Sequence, residues 1–254
     1  MPKLSVVVAT YNEEKNISRC LESVKDIADE IILVDAKSSD RTVEIAKKYE
    51  PRIFLVDNKP IFHKNKQYGL DKAQMEWILQ LDADEVVSNS LKQEIVKTLK
   101  QDSKTINGYY LPRKNYFLGK WMRKGGLYPD SVIRLIRKGK GHFPCKNVHE
   151  QIEIIGNVDW LINPLIHYPY PTISEYLVKA NRYTTLTAED LKRGNTKINI
   201  FNTLKYCLVI PCKTFFNIYI RHQGYLDGFP GFVWAVLSST HYFLAYAKLI
   251  NFKK

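Results

Sequence analysis

What this chain lacks narrows its chemistry before any motif is considered. No glycine-rich GxGxxG follows the first predicted strand and no GxxxxGK[ST] occurs in the 254 residues. Dinucleotide-dehydrogenase and P-loop readings therefore lose their main support. The four cysteines, Cys20, Cys145, Cys207 and Cys212, make no CxxC pair and no zinc-ligand spacing, so they read as reduced structural thiols in a cytosolic setting. The apolar run within Met1–Val8 is too short for a signal peptide and leads straight into a polar turn, so it is expected to be a strand and nothing in it implies export. No internal repeat and no low-complexity linker interrupts the sequence. The segment Phe229–Ile250 approaches membrane-spanning length, but Pro230, Gly231, Ser238, Ser239 and His241 make it a poor spanning helix.

Acidic residues are also in short supply. There are 26 Asp and Glu against 38 Lys and Arg, a formal net charge of +12 and a pI near 9.4, which points to an anionic partner: nucleic acid, anionic lipid or a phosphorylated substrate. Residues 171–254 hold 11 Lys and Arg against 4 Asp and Glu while being rich in Phe, Tyr, Leu and Ile. Basic and apolar together favour an anionic membrane surface over a nucleic-acid groove. Because the basic region is interleaved with long aliphatic runs and carries no nucleic-acid module, no nucleic-acid partner is expected.

What is present is an alternating α/β pattern. Strands are expected over Lys3–Thr10, Glu30–Asp35, Arg52–Asp57 and Trp77–Asp82. Helices are expected to about Val24, from Arg41 to Tyr49, from Asn65 to Met75 and from Ser90 to Lys100. In open, mostly parallel sheets the ligand crevice lies beyond the carboxyl ends of the strands, so Thr10 to Glu13, Asp35 and Asp82 to Asp84 should converge there. The stretch Trp77–Glu85 is central. An apolar strand ends abruptly in three acids, and residues two apart in an extended chain share a side, which would let Asp82 and Asp84 face one cleft. Such a pair suits a hard divalent cation held together with substrate phosphates; the competing reading is that Asp82 to Glu85 cap the next helix. With no glycine loop to cradle phosphate, a metal ion is the natural means of neutralising a diphosphate.

Beyond about residue 100 the pattern changes to short extended pieces, Gly108–Pro112 and Val132–Arg137 among them, which predicts a mixed or antiparallel edge. The loop Leu118–Asp130 is basic and aromatic, and reads either as a cover over a ligand or as a surface connection. Helical spacing resumes over Thr172–Gly194. Residues Ile200–Ile220 and Phe229–Ile250 are more apolar and read either as an in-plane membrane attachment or as a hydrophobic pair packed on the main domain.

Four segments together carry a resemblance: Ser5–Glu14 (SVVVATYNEE), Val34–Thr42 (VDAKSSDRT), Leu81–Glu85 (LDADE) and Val148–Glu150 (VHE). In that order they resemble the motifs of family 2 glycosyltransferases, over about the first 170 residues. The tail, with Gly224–Gly231 (GYLDGFPG), looks like that of the lipopolysaccharide inner-core β-1,4-glucosyltransferase branch. The resemblance implies an α/β fold of the GT-A (nucleotide-diphospho-sugar transferase) type: a Rossmann-like mixed sheet flanked by helices, here with a C-terminal helical, membrane-associating appendage. The expected division is a catalytic domain over 1–171, with a nucleotide-sugar half to about 100 and an acceptor half after it, followed by a helical region over 172–254.

The same resemblance implies the site. Thr10, Tyr11, Asn12, Glu13 and Asp35 would hold the uridine, and Asp82 and Asp84 the ribose and a Mg²⁺ or Mn²⁺ ion bridging the diphosphate. Lys66 lies where a base-binding cation is expected, with Lys64 as competitor. His167 is either a further metal or diphosphate ligand or a structural residue. The family inverts anomeric configuration by direct displacement, which needs one general base; Glu150 is the first candidate and Asp130 the second, with His149 placed to orient the glutamate or to touch phosphate. The implied protein is a metal-dependent transferase peripheral on the cytoplasmic face of the inner membrane. It would move a hexose, glucose by expectation, from a UDP-sugar to a glycolipid such as the lipopolysaccharide core. Alternatives are a polyprenyl-phosphate or protein acceptor, or a non-catalytic sugar-nucleotide or lipid-binding protein.

Overall fold

The structure, a computed structural model, describes residues 2–59, 61–146 and 150–252. The chain divides into two compact units, Met1–Arg113 with Ser131–His167, and Lys114–Asp130 with Tyr168–Lys254.

The first unit opens with β1 (Leu4–Thr10), α1 (Ile17–Glu22), β2 (Glu30–Asp35), α2 (Thr42–Ala46) tightening into a 3₁₀ turn over Lys47–Tyr49, β3 (Arg52–Leu55), α3 (His63–Lys72) and β4 (Trp77–Asp82). The strands expected at 30–35 and 77–82 have those limits. Val6, Val7, Val8, Ile32, Leu33 and Val34 are fully buried, so these strands are covered on both faces, which is why they read as unbroken apolar runs rather than as alternation. Strands β2 and β4 flank β1, and β3 lies outside β2, all parallel. Helices α1 and, later, α4 (Asn89–Gln101) cover one face through Ile17, Leu21, Leu91, Ile95 and Leu99. Helix α3 covers the other through Leu70 beside Val7 and Val34. Each such buried side chain contributes roughly 1.5–3 kcal/mol. The approach of α3 is close enough to need Gly69, since a Cβ there would lie 2.5 Å from Val7 Cγ1.

After β4 the sheet becomes mixed, as expected. It continues with β5 (Glu85–Val87), β6 (Ile106–Phe117), β7 (Lys120–Trp121), β8 (Asp130–Arg137), β9 (Gly141–His142), β10 (Glu153–Ile154), β11 (Asn157–Trp160) and β12 (Leu165–Tyr170). The strand order is β3-β2-β1-β4-β8-β6-β12-β5, with β7 and β11 paired to β6 and the β9–β10 ribbon separate. Two antiparallel pairings bring distant residues to the acid stretch: β8 runs against β4, and β12 against β5 with His167 opposite Glu85.

In the second unit, α5 (Ile173–Arg193) is capped by Thr172, whose side chain accepts from the Glu175 N–H. A long helix follows in pieces: α6 (Ile200–Leu204), a π-helical turn Lys205–Val209, α7 (Ile210–Phe216) and a second π-helical turn Asn217–Arg221. A 3₁₀ turn, Gly224–Asp227, then leads into α8 (Gly228–Ser239) and α9 (His241–Phe252). Phe117, Met122 and Tyr176 form one core with Trp234, and Tyr206, Tyr246 and Leu249 form another. The segment 114–130, assigned from the sequence to the first domain, groups instead with the tail. Buried Asp227 accepts from the Arg123 and Lys124 amides at 3.1 and 2.8 Å, and the Asp227 carbonyl from Lys120 Nζ at 2.6 Å. Among the described residues, no helix is long and apolar enough to cross a membrane.

Candidate functional site

The site begins at the carboxyl edge of the parallel strands. Thr10 stands opposite Asp35, and Ala9 opposite Asp82, so β1, β2 and β4 end level with one another. The loops after β1 and β2 are stitched together. Asp35 is fully buried and accepts from Thr10 Oγ1 at 3.0 Å, from the Ser38 amide at 2.8 Å and from Ser38 Oγ at 2.6 Å. Ser38 Oγ in turn accepts from the Asn12 amide at 2.8 Å, and Asn12 Oδ1 from the Ser39 amide at 2.8 Å. Asn12 and Lys37 have φ of 55° and 58°, a left-handed conformation in which Asn is tolerated better than most residues. The Glu13 amide donates to Thr42 Oγ1 at 2.7 Å, and its carboxylate accepts from Asn16 at 2.8 Å. Burial raises the Asp40 carboxyl, but hydrogen bonds from Thr42 and the Glu14 amide outweigh it, and Asp40 titrates below the ordinary range. Tyr11 remains open to solvent at the mouth of this loop pair.

The acid stretch departs from simple alternation. Strand β4 stops at Asp82, Ala83–Asp84 is a turn, and β5 begins at Glu85. The helix-cap reading does not hold, because Ser88 caps α4, accepting from the Leu91 amide at 3.3 Å. Instead Asp82 and Glu85 share Arg134, while Asp84 faces a different partner. Asp82 is ion-paired through one oxygen to Lys66 and through the other to Arg134 Nη2 at 2.7 Å. Glu85, fully buried, is gripped by Arg134 Nε at 3.0 Å and Nη2 at 2.7 Å, and by Arg113 at 3.3 Å. The remaining Arg134 nitrogen reaches Gln80 Oε1 at 2.6 Å, and the Asp82 amide closes the turn on Glu85 at 2.9 Å.

Burial alone would raise the Asp82 carboxyl; Arg134 and Lys66 more than offset it and hold it well below the usual carboxylate range. Burial lowers Lys66, with Asp82 opposing that shift. The lysine expected to meet a nucleobase is therefore engaged with Asp82, its ammonium lying 4.9 Å from the centre of the Phe62 ring. Beneath the turn, burial and the neighbouring carboxylates push the Cys20 thiol well above its ordinary value, and its sulfur lies 3.6 Å from the Asp82 carbonyl.

Asp84 faces elsewhere. Its Oδ1 lies 3.5 Å from His167 Nε2, and both side chains are largely buried. The antiparallel β12–β5 pairing is what delivers a histidine 83 positions away in sequence to this turn. Among the described residues, no group of three or more His, Cys, Asp and Glu is arranged to hold a metal ion. A carboxylate and an imidazole are nonetheless a donor set that suits Mn²⁺ better than the oxygen-preferring Mg²⁺, the other ligands coming from phosphate oxygens and water. Asp82 already has an oxygen on each of two cations, whereas Asp84 faces His167.

The two candidate bases lie in different places. Glu150 accepts from the Lys146 amide at 2.8 Å, in the first unit, whereas Asp130 belongs to the second and accepts from Asn115 Nδ2 at 2.9 Å. Val148 and His149, which precede Glu150, lie outside the described residues. Sequence reading missed Arg134, although a signal was present: a lone arginine inside Val132–Ile136, an otherwise apolar run, must find carboxylates when buried. Gln80 in the middle of β4 carried the same message.

The first unit is a nucleotide-diphospho-sugar transferase fold with its polar strand ends gathered at one edge. Residues 5–153 match the model for glycosyl transferase family 2, and the chain belongs to that family. The fold is GT-A, flanked by helices and followed by C-terminal helices. The chain is 29% identical over 262 residues to the lipopolysaccharide core biosynthesis glycosyltransferase LpsC of Rhizobium meliloti, covering 98% of this chain and 93% of that protein. It is also 30% identical over 261 residues to an uncharacterized glycosyltransferase of Rickettsia typhi, covering 98% and 87% respectively. Among solved structures, the mannosyltransferase PcManGT of Pyrobaculum calidifontis, in complex with GDP-Man and Mn²⁺, aligns with a TM-score of 0.55 at 14% identity, covering all of this chain and 88% of that one. TarS of S. aureus in complex with UDP-GlcNAc aligns with a TM-score of 0.50 at 17% identity, covering 98% and 88%.

Proposed function

We propose that this glycosyltransferase moves a hexose, glucose by expectation, from a UDP-sugar to a glycolipid of the lipopolysaccharide-core type. The transfer forms a β-linkage with inversion at the anomeric carbon. The observation that carries the reading is the Asp84–His167 pair beside a neutralised Asp82, at the edge where the Thr10–Asn12 and Asp35–Ser38 loops are tied together. The near full-length likeness to LpsC supports the acceptor class.

In this reading the nucleoside binds against Thr10, Tyr11, Asn12, Glu13 and Asp35, exchanging some of the loop-to-loop hydrogen bonds for bonds to the base and ribose. Lys66 and Arg134 keep Asp82 ionised and fixed, so that the turn presents Asp84 without like-charge repulsion from its neighbour. A divalent ion held by Asp84 and His167 would supply positive charge to the departing diphosphate. Glu150 takes the proton of the attacking acceptor hydroxyl, with Asp130 as the alternative base. A single displacement from the face opposite the leaving group then inverts the α-donor to a β-product. The enzyme would work on the cytoplasmic face of the inner membrane, where its acceptor is anchored.

The test is to offer UDP-glucose, UDP-galactose, UDP-GlcNAc and GDP-mannose with extracted core glycolipid and to determine the product and its anomeric linkage. A β-hexosyl core product from one UDP-sugar supports the reading. Transfer only to polyprenyl phosphate or to protein moves the acceptor class, and no nucleotide release from any donor defeats the enzyme assignment.

A further inference from the structure

The helix running from α6 to the second π-helical turn, Ile200–Arg221, leaves one apolar stripe uncovered. Phe201, Leu204, Leu208, Cys212, Phe216 and Ile220 succeed one another at steps of three and then four residues. All six are exposed, Phe201 to 79% and Phe216 to 60%. The opposite side is occupied: Tyr206 is buried against Tyr246 and Leu249, with Ile210 packed on the same cluster.

A four-residue step drifts around an ideal α-helix, which turns once in about 3.6 residues. The two π-helical turns remove that drift, because i→i+5 closure takes more residues per turn and brings the average toward about four. The backbone irregularity thus keeps the exposed side chains in one straight line. Each cation on this helix follows a stripe residue by one position: Lys205 after Leu204, Lys213 after Cys212, Arg221 after Ile220. All three are exposed. One residue is about 100° of rotation, so the three charges line one flank of the stripe at even eight-residue intervals. They can reach past its apolar side chains as snorkelling cations do.

We propose that this face is seated in the plane of an anionic bilayer, the stripe entering the boundary between head groups and acyl chains and Lys205, Lys213 and Arg221 lying against lipid phosphates. The charge row selects that occupant. A second copy of this chain would bring the same positive flank along with its stripe, whereas an anionic lipid surface complements both features. With no described helix able to cross a membrane, the attachment is in-plane. The inference deepens the glycolipid-acceptor reading by stating which face meets the lipid, but it is read out without turnover, so either can fail while the other stands.

The experiment uses the full chain with vesicles of phosphatidylcholine and phosphatidylglycerol in equal parts, and of phosphatidylcholine alone. The parent protein should float with the anionic vesicles and far less with the neutral ones. The triple variant Lys205→Gln, Lys213→Gln, Arg221→Gln should lose roughly a hundredfold in partition, at about fivefold per cation. Phe201→Ser with Phe216→Ser should weaken binding to both vesicle types, and circular dichroism should confirm that each variant is folded. A polarity-sensitive fluorophore on Cys212, in a protein with the other three cysteines replaced by serine or alanine, should shift to the blue on anionic vesicles. Absence of vesicle binding by the folded parent, or binding untouched by both sets of substitutions, would overturn the proposal. So would a parent dimer that the stripe substitutions convert to monomer while vesicle binding is unchanged.

Discussion

Replacing Arg134 by methionine tests whether the acid turn depends on one buried guanidinium. Arg134 is almost wholly buried, and it holds four acceptor oxygens: Gln80 Oε1, Asp82 Oδ2 and both oxygens of Glu85, at 2.6 to 3.0 Å. Methionine fills much of the space but leaves Glu85, itself without solvent exposure, with Arg113 at 3.3 Å and the Asp82 amide at 2.9 Å. Removing one partner of a buried ion pair costs about 3–5 kcal/mol. Because Lys66 still neutralises Asp82 and Arg113 still faces Glu85, the lower end, about 3 kcal/mol, is expected. In urea unfolding followed by circular dichroism, with a slope of about 3 kcal/mol per molar, the midpoint should fall by about 1 M. Arg134→Lys, which keeps the charge and loses the fork, should lie between. Pairing Arg134→Met with Glu85→Leu should recover most of the loss, since replacing both members of a buried pair by apolar groups is often near neutral. A single variant within about 1 kcal/mol of the parent, or a double variant no better than the single, would refute the clamp.

The same geometry sets three further outcomes. Asp82 has a folded-state pKa well below its unfolded value, so its contribution is present above the unfolded carboxylate pKa of about 3.9 and lost as pH falls from there through the folded pKa; Asp82→Asn should flatten the loss of stability below about pH 4, and an unchanged slope there would remove the ion-pair argument. Gly231→Ala places a Cβ 2.0 Å from the Gly224 carbonyl oxygen and 3.0 Å from Asp227 Cβ. It should cost about 3 kcal/mol and, by loosening the loop whose amides Asp227 holds, speed trypsin cleavage after the already exposed Arg123 and Lys124; an unchanged cleavage rate would show that Asp227 does not anchor that loop. Glu150→Gln should retain UDP binding and lose transfer, while near-normal turnover, with loss in Asp130→Asn, would assign the base to Asp130.

Much of the first unit was legible because its physics is local. Strands β1, β2 and β4 are apolar runs closed by polar residues, and their parallel order arises from helical crossovers, so the edge carrying Thr10, Asp35 and Asp82 could be placed from spacing. The sequence pattern also exposed the tail as apolar and basic. The partners of each acid were not legible. Alternation made Asp82 and Asp84 equivalent, whereas Lys66 and Arg134 separate them, and both cations arrive through tertiary packing of α3 and β8. His167 reaches Asp84 only through an antiparallel pairing of β12 with β5, a register that no local window encodes. The grouping of 114–130 with the tail rests on long-range contacts, the Phe117 and Met122 packing with Tyr176 and Trp234 and the Asp227 carboxylate, which lies more than a hundred residues from the amides it accepts from.

The central claim of the proposed reading is that Asp84 and His167 would hold the divalent ion that meets the diphosphate, while Asp82 is engaged by Lys66 and Arg134. Titration calorimetry of UDP into the parent, Asp84→Asn and His167→Ala, each with and without Mn²⁺, tests it most directly. The account predicts that Mn²⁺ strengthens UDP binding in the parent, that Asp84→Asn abolishes the enhancement and that His167→Ala reduces it, with circular dichroism unchanged in both. An Asp84→Asn protein that still gains the full Mn²⁺-dependent affinity would contradict it.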